Sequence, residues 1–319
     1  MPKIAVVGCG GIMEEHFRHL QGMSEVCFVG HCDTDKERAE SAAARFGGEV
    51  FSDSALMFDK TKPDAVYVCV PPFARGAIET AAAERGIHLF IEKPVALDRT
   101  TAARVEAAIR RFKVMASVGY CYRYCDSVTK ARQLLKGKAV SLVSAWYACG
   151  MPEVWWWRQR ARSGGQILEQ TTHLFDLVRY LCGDVAEVYG VAARGCMNQV
   201  DQFDVDDSSA VTMRLKSGAA VSIVSSCVAN NGGQTGLKIV TPEATIEFDR
   251  TTLRVCEGDV TTEYRSGADM YEEENKAFID AITSGKRNRI RSTYSDARKT
   301  LMATLAANES IGSGLPQRP

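Results

Sequence analysis

Over roughly its first 120 residues the chain alternates short apolar runs with segments rich in Ala, Glu and Arg. The runs fall at 4–7, 27–30, 65–70, 89–91 and 114–118, each followed by a stretch of helix-forming composition. Strand and helix in alternation predict βαβ units and a parallel sheet. From about residue 139 the rhythm changes. Longer alternating runs appear at 141–147, 208–215, 219–228, 237–240, 244–248 and 252–256, with turn signals at 216–218, 230–233 and 257–259. That pattern predicts a largely antiparallel sheet. One helix is expected between 164 and 181, and a last helical region over about 271–310. The expected fold class is α/β: a doubly wound parallel sheet over 1–122, then an α+β domain over 123–319 built on a large, mainly antiparallel open sheet. The last helices are free to pack back on the first domain.

Length and composition agree with two domains, since 319 residues exceed the usual size of one. Hydrophobic residues make up 45% and charged residues 24%, with Lys+Arg and Asp+Glu equal at 39 each. That balance recruits neither nucleic acid nor an anionic membrane. The chain opens on a strand-like run without the regions of a signal peptide, and no apolar stretch approaches a membrane span, so a cytoplasmic location is expected. The 11 cysteines are scattered, with no Cys-x-x-Cys pair, and several lie in apolar runs. Reduced thiols and no metal site are expected; Cys121 and Cys125, the nearest pair, lack two further ligands.

The first apolar run leads into Gly8-Cys9-Gly10-Gly11-Ile12-Met13 and then a helix-like segment. A Gly-rich turn between strand and helix brings backbone close to a pyrophosphate, and the helix N-terminus adds N–H donors. Met13 stands where a small residue usually permits close packing of helix on strand. An ordinary tight turn is the competing reading of these glycines alone. The second run ends at Asp33, 20 residues beyond Met13, the separation expected of a carboxylate that accepts the adenosine ribose hydroxyls. That acid repels a 2′-phosphate, and Thr34-Asp35 supplies no Arg, which favours NAD over NADP. Helix capping is the alternative task for either aspartate, and Asp35 suits it better.

Ligands of an open parallel sheet bind beyond the carboxyl ends of its strands. Val70-Pro71-Pro72, Glu92-Lys93-Pro94 and Tyr120 to Tyr124 all fall at such ends, and one crevice is expected to receive them. A lysine pinned by a following proline has little reason to be there for packing, and its cation polarises a hydroxyl; a plain polar turn is the other reading.

Gly8 and Gly10, Asp33, Val70-Pro71-Pro72, Glu92-Lys93-Pro94 and Ser163-Gly164-Gly165 through His173 occur together in an order and spacing that resemble the Gfo/Idh/MocA oxidoreductases over nearly the whole chain. The resemblance implies a Rossmann domain that binds NAD through Gly8, Gly10, Gly11, Ile12, Met13, Asp33, Val70, Pro71, Glu92, Lys93 and Arg123. It implies that Lys93 binds the reacting hydroxyl and that His173 takes its proton, with Glu169 in place of the usual Asp and Thr171 in place of the usual Gly. On a continuous helix Glu169, His173 and Asp176 share a face, so the acids would orient the imidazole. Arg75 replaces a frequent His, and Arg123 is left as the cation matching the family's pair of arginines. Trp155-Trp156-Trp157-Arg158 is unusual: one ring stacks on a sugar, or the group makes a subunit contact. Lys93, Tyr120, Trp157, Arg158, Glu169 and His173 are the expected substrate contacts. The reaction implied is hydride transfer between NAD and a secondary hydroxyl of a sugar, sugar derivative or cyclitol, in a homodimer or homotetramer joined through the second sheet. The rivals are an NAD-dependent glycosidase using transient oxidation, a dihydrodiol or biliverdin-type reductase, and a non-catalytic NAD-binding sensor.

Overall fold

The computed structural model describes residues 1–230 and 233–319 and divides into two compact units. The first comprises Met1–Cys121 and Asp269–Ala297, the second Tyr122–Ala268 and Arg298–Pro319.

The first unit holds a six-stranded sheet of β1 (Lys3–Val7), β2 (Cys27–Cys32), β3 (Glu49–Phe51), β4 (Ala65–Val68), β5 (His88–Ile91) and β6 (Ala116–Val118). All pairings are parallel and the order is β3-β2-β1-β4-β5-β6. Between the strands run α1 (Gly11–Leu20), α2 (Lys36–Phe46), α3 (Ser54–Thr61), α4 (Ala77–Glu84) and α5 (Arg99–Phe112). The strands read as unbroken apolar runs because helices cover both faces: every residue of β4 is buried. On α1, Met13, His16, Phe17 and Leu20 form the buried stripe, the i, i+3, i+4, i+7 spacing of one helix face. Phe278 and Ile279 of a later helix, α10 below, join this core.

The second unit opens with α6 (Asp126–Leu134) and β7 (Leu142–Ala148), then α7 (Arg160–Ser163), α8 (Gln166–Glu169) and α9 (Thr172–Cys182). Its remaining strands are β8 (Val185–Ala193), β9 (Ser208–Leu215), β10 (Ala220–Ser226), β11 (Gln234–Val240), β12 (Thr245–Phe248), β13 (Thr252–Glu257) and β14 (Val260–Arg265). They form one eight-stranded sheet in the order β14-β13-β12-β11-β7-β10-β9-β8, antiparallel except for β10 on β7. Burial along β9 alternates residue by residue, as it must where only one face is covered. The chain then returns to the first unit through α10 (Met270–Ser284) and passes to the second within α11 (Tyr294–Ser313).

The α/β class and both sheets are as the sequence predicts. The exceptions are local. Three strands carry too weak a pattern to be seen: β3 has three residues, β8 is disturbed by an irregularity at Val185/Glu187, and β14 is a polar, exposed edge. The single helix expected over 164–181 is two, α8 and α9, parted at Gln170 and Thr171; Gly164 and Gly165, which separate α7 from α8, both adopt positive φ, +76° and +83°, a succession open only to glycine at low cost. The helical region over 271–310 is two helices, the first stopped by Gly285 in the left-handed conformation. The expected turn at 230–233 includes Asn231 and Gly232, which lie outside the described residues.

Candidate active site

Because β1, β4, β5 and β6 are parallel neighbours, the segments leaving their carboxyl ends lie along one edge of the first sheet. Gly8 to Met13 follow β1, Val70 and Pro71 follow β4, Glu92 and Lys93 follow β5, and Tyr120 follows β6. The chain leaves β1 toward β2 on one side and returns to β4 on the other, the arrangement that opens a ligand crevice in such sheets. Gly8 sits at this point with φ +90°, and a Cβ there would lie 2.6 Å from the carbonyl oxygen of Cys69 and 2.9 Å from the amide nitrogen of Val70. Backbone cannot yield to such a contact, so only glycine lets the two loops approach.

Gly10 is the N-cap of α1 and offers no side-chain acceptor, and a Cβ on Gly11 would meet nothing within 4 Å. The first-turn amides of this ten-residue helix are thus left for an anionic ligand. Asp33 fixes the turn from below: its Oδ2 accepts from the Cys9 amide at 2.7 Å and its Oδ1 from the Asp35 amide at 2.9 Å. Each carboxylate oxygen retains a second lone pair for a ribose hydroxyl. Asp35 caps α2 by accepting from the Glu37 amide. Arg38, unforeseen from sequence, pairs with Asp35 at 3.2 Å, and its guanidinium lies 3.6 Å from the position a Gly10 Cβ would take. The uncapped turn, the open space over Gly11 and the ribose-ready Asp33 fit a dinucleotide.

Met13 needs no small residue in its place. It is fully buried, with its sulfur 3.7 Å from that of Cys69, and the short side chains of Cys9 and Cys69 in the same cluster leave it room. Burial, aided by the nearby Asp33 charge, pushes the Cys9 thiol up to about 12, so it packs rather than reacts.

Glu92 is buried and ionised within a polar network. Its Oε1 lies 3.1 Å from His16 Nε2, and its Oε2 accepts from the Lys93 amide at 3.1 Å. His16 Nδ1 meets the Asn275 amide, which also accepts from the Tyr67 hydroxyl at 2.9 Å and donates to the Tyr271 carbonyl at 2.8 Å. Burial alone would raise the Glu92 carboxyl; the His16 hydrogen bond and the charges of His16, Lys93 and Arg75 reverse this and hold it below the ordinary value. The network joins α1, the Glu92-Lys93-Pro94 loop and α10. The Lys93–Pro94 peptide is cis and Lys93 is half-buried. Arg75, buried, donates to the carbonyls of Val68 and Val70 and so braces the loop after β4. Tyr120 is also buried.

In the second unit His173 lies near the start of α9, 8% exposed, with the Tyr122 ring stacked on it at 4.7 Å between centroids. Glu169 ends α8, so the break at Gln170 and Thr171 removes the continuous face expected of positions 169, 173 and 176. Asp176 is engaged elsewhere: its carboxylate takes a two-pronged bond from Arg123 at 2.7 and 2.6 Å and another from the Thr300 hydroxyl at 2.9 Å. Arg123 is 1% exposed and its guanidinium lies over the Tyr180 ring at 4.6 Å. The two-pronged bond to a buried carboxylate and the near-complete burial give Arg123 a framework task.

The three adjacent tryptophans have three environments. Trp155 is exposed with the Arg162 guanidinium 4.5 Å over its ring, and Trp156 packs half-buried against the cluster of Trp157, Val205 and Cys227. Trp157 has no exposed surface, and its indole N–H donates to Glu169 Oε2 at 2.8 Å. It therefore has no face left for a sugar ring. Arg158 is half-buried, with Nε toward the Trp155 carbonyl at 3.4 Å.

Sequence reasoning missed His16, Asn275 and Arg38, and missed the bond between Trp157 and Glu169. His16 was the most legible: a titratable residue inside the buried stripe of α1 demands a buried partner.

Comparison with known proteins agrees with this geometry. Residues 2–120 match the sequence model of the oxidoreductase family with an NAD-binding Rossmann fold, and residues 128–247 match that of the GFO/IDH/MocA C-terminal domain. The myo-inositol 2-dehydrogenase of Thermotoga maritima is 25% identical, over 97% of this chain and 96% of its own. The NAD(+) scyllo-inositol 2-dehydrogenase of Bacillus subtilis is 25% identical, over 98% and 95%. Among solved structures, a levoglucosan dehydrogenase in complex with NADH and levoglucosan shares the fold with a TM-score of 0.90 at 20% identity, over 99% of each chain. Matched over both of its parts by the models of a single family, the chain belongs to the Gfo/Idh/MocA oxidoreductases, whose Rossmann domain binds NAD.

Proposed function

We propose that this protein is an NAD-dependent dehydrogenase that oxidises, reversibly, a secondary hydroxyl of a sugar, sugar derivative or cyclitol. The observation that carries the reading is Lys93 on the strand edge that also bears the Gly8 turn and Asp33, with the ionised Glu92 held by His16 directly behind it. The inositol dehydrogenases similar to this chain supply the substrate class.

The α1 amides and Asp33 would hold NAD, which would supply the two-electron acceptor for the hydride of the alcohol C–H as the hydroxyl carbon becomes a carbonyl. His173 takes the hydroxyl proton on a ring nitrogen. The Lys93 ammonium hydrogen-bonds the oxygen as it gains negative charge. Glu169 accepts a substrate hydroxyl or orients His173. Asp33 binds the ribose hydroxyls, and the α1 amides bind the pyrophosphate. The division of labour assigns cofactor binding to the first domain and substrate binding and oligomerisation to the second.

A second copy of the chain covers the outer face of the second sheet. Val191, Ala210, Val224 and Trp146 lie in register across β8, β9, β10 and β7, beside exposed Tyr189 and Leu142. Toward the other end the face changes to paired charges, Lys238 with Glu247 and Arg254 with Glu263. The apolar half is the part a partner would bury, in a homodimer or homotetramer. No helix among the described residues is long and apolar enough to cross a membrane. Eleven cysteines without a disulfide suit the reducing cytoplasm proposed as its location.

A panel of sugars and cyclitols offered with NAD tests the reading: NADH should form with at least one. Tight NAD binding with no turnover on any of them would favour the sensor, and bond cleavage without net NADH the glycosidase.

A further inference from the structure

Glu169 differs from the family's aspartate by one methylene, and the structure contains a partner matched to that extra reach. The Trp157 indole, without exposed surface, donates its N–H to Glu169 Oε2 at 2.8 Å. An indole has one donor and no acceptor, and both it and a buried carboxylate are costly to leave unsatisfied. The bond ties one oxygen of the carboxylate to the buried ring.

The donor is firmly mounted. Trp157 packs with Val205 and Cys227, with Met151, Trp156, Phe203 and Val228 around them. The flanking chain is tied to the 204–206 segment, where the Asp204 amide donates to the Arg158 carbonyl at 3.1 Å and Arg160 bonds Asp206 at 2.7 Å. The acceptor is mounted as firmly, for Glu169 closes α8, which follows the two positive-φ glycines, and its amide donates to the Gly165 carbonyl at 3.0 Å. Removing one methylene withdraws the carboxylate by about 1.5 Å, one C–C bond, which takes the oxygen out of hydrogen-bond range of the indole.

We propose that Trp157 is a positioning residue for the reaction, acting through Glu169: its indole N–H fixes the carboxylate by one oxygen, and this bond makes glutamate the working residue at 169. The inference rests on Glu169 belonging to the catalytic pair. Restoring the family's own residue, Glu169→Asp, therefore damages this enzyme.

The experiment is a double-mutant cycle on the full-length protein with NAD and a substrate from the panel. Trp157→Phe keeps an apolar ring and removes the donor. Trp157→Phe and Glu169→Asp should each lower kcat by about ten- to hundredfold, the scale of one hydrogen bond to a charged group, with KM changed far less. The double variant should be within about twofold of the worse single variant, because one bond is lost only once. Losses that multiply would mean that Trp157 acts independently of Glu169, as packing alone, and would overturn the proposal.

A second reading needs no substrate and no change at Trp157. The chain has four tryptophans, and the Trp157 indole N–H resonance is assigned by replacing the other three in turn. It should move on Glu169→Asp and on Glu169→Gln. An unmoved resonance would show that the bond is absent, whatever the kinetics. If Glu169→Ala left turnover untouched while the resonance still moved, the catalytic reading of Glu169 would fall and the positioning role with it, and the bond itself would stand.

Discussion

In the first unit the groups proposed to meet NAD are mostly backbone. Gly8, Gly10 and the α1 amides are placed by a turn that only glycine can make, and Asp33 holds that turn through two backbone N–H groups. In the second unit the corresponding groups are side chains held by other side chains: Glu169 by Trp157, Asp176 by Arg123 and Thr300, His173 under Tyr122. A pattern that specifies backbone can be read along the chain. A pattern made by partners 12, 53 and 124 residues apart cannot, because nothing local records which donor meets which acceptor.

The strongest way to break this comparison is to remove the side chain proposed as the base. His173→Ala should lower kcat by about 10²- to 10⁴-fold and leave NAD affinity within about twofold, checked by steady-state kinetics and calorimetry. An equal loss of NAD binding would mean that the second unit's side chains serve the cofactor as well. Asp33→Ala should do the reverse, raising the KM for NAD by about tenfold or more, the scale of one or two lost charge-assisted hydrogen bonds, with far less change in kcat.

Glu92 is where the first unit resembles the second, as a side chain held by side chains. Its folded carboxyl is held below the ordinary value of about 4.5. The ionised form is therefore the one the fold favours. Its contribution is present in full above the unfolded value and disappears as the pH falls through the folded one. Glu92→Gln should cost about 2 kcal/mol of stability at pH 7 and progressively less as the pH falls below about 4.5, measured by denaturant unfolding from neutral to acid pH. A cost that grew toward acid would contradict the sign. The smallest effect belongs to Asp35→Ala, which removes only the α2 cap and should cost about 1 kcal/mol with kcat unchanged.

The same contrast explains how much was legible. Gly8, Asp33, Lys93 and the parallel sheet followed from spacing, since each strand end places its loop on one edge. Met13, a departure from the motif by sequence, is accommodated because Cys69 and Cys9 are small, which no spacing rule expresses. The expected common face of Glu169, His173 and Asp176 failed because the helix stops at Glu169 and resumes at Thr172. Thr171, where the family has glycine, lies in that gap, so the departure marked a place where helical periodicity did not apply. Arg123 and Trp157 looked like ligand contacts because Arg and Trp in a functional segment commonly are. Their partners, Asp176 and Glu169, bury them instead.

The central claim is that Lys93 stabilises the oxygen of a secondary alcohol while hydride passes to NAD. Its most direct test is Lys93→Met, assayed with the best substrate of the sugar and cyclitol panel alongside calorimetric NAD binding. The account predicts NAD affinity within about twofold of the parent and kcat lower by about 10²- to 10³-fold, the scale of one lost donor to a developing oxyanion. Turnover at the parent rate, with NAD bound equally well, would contradict it.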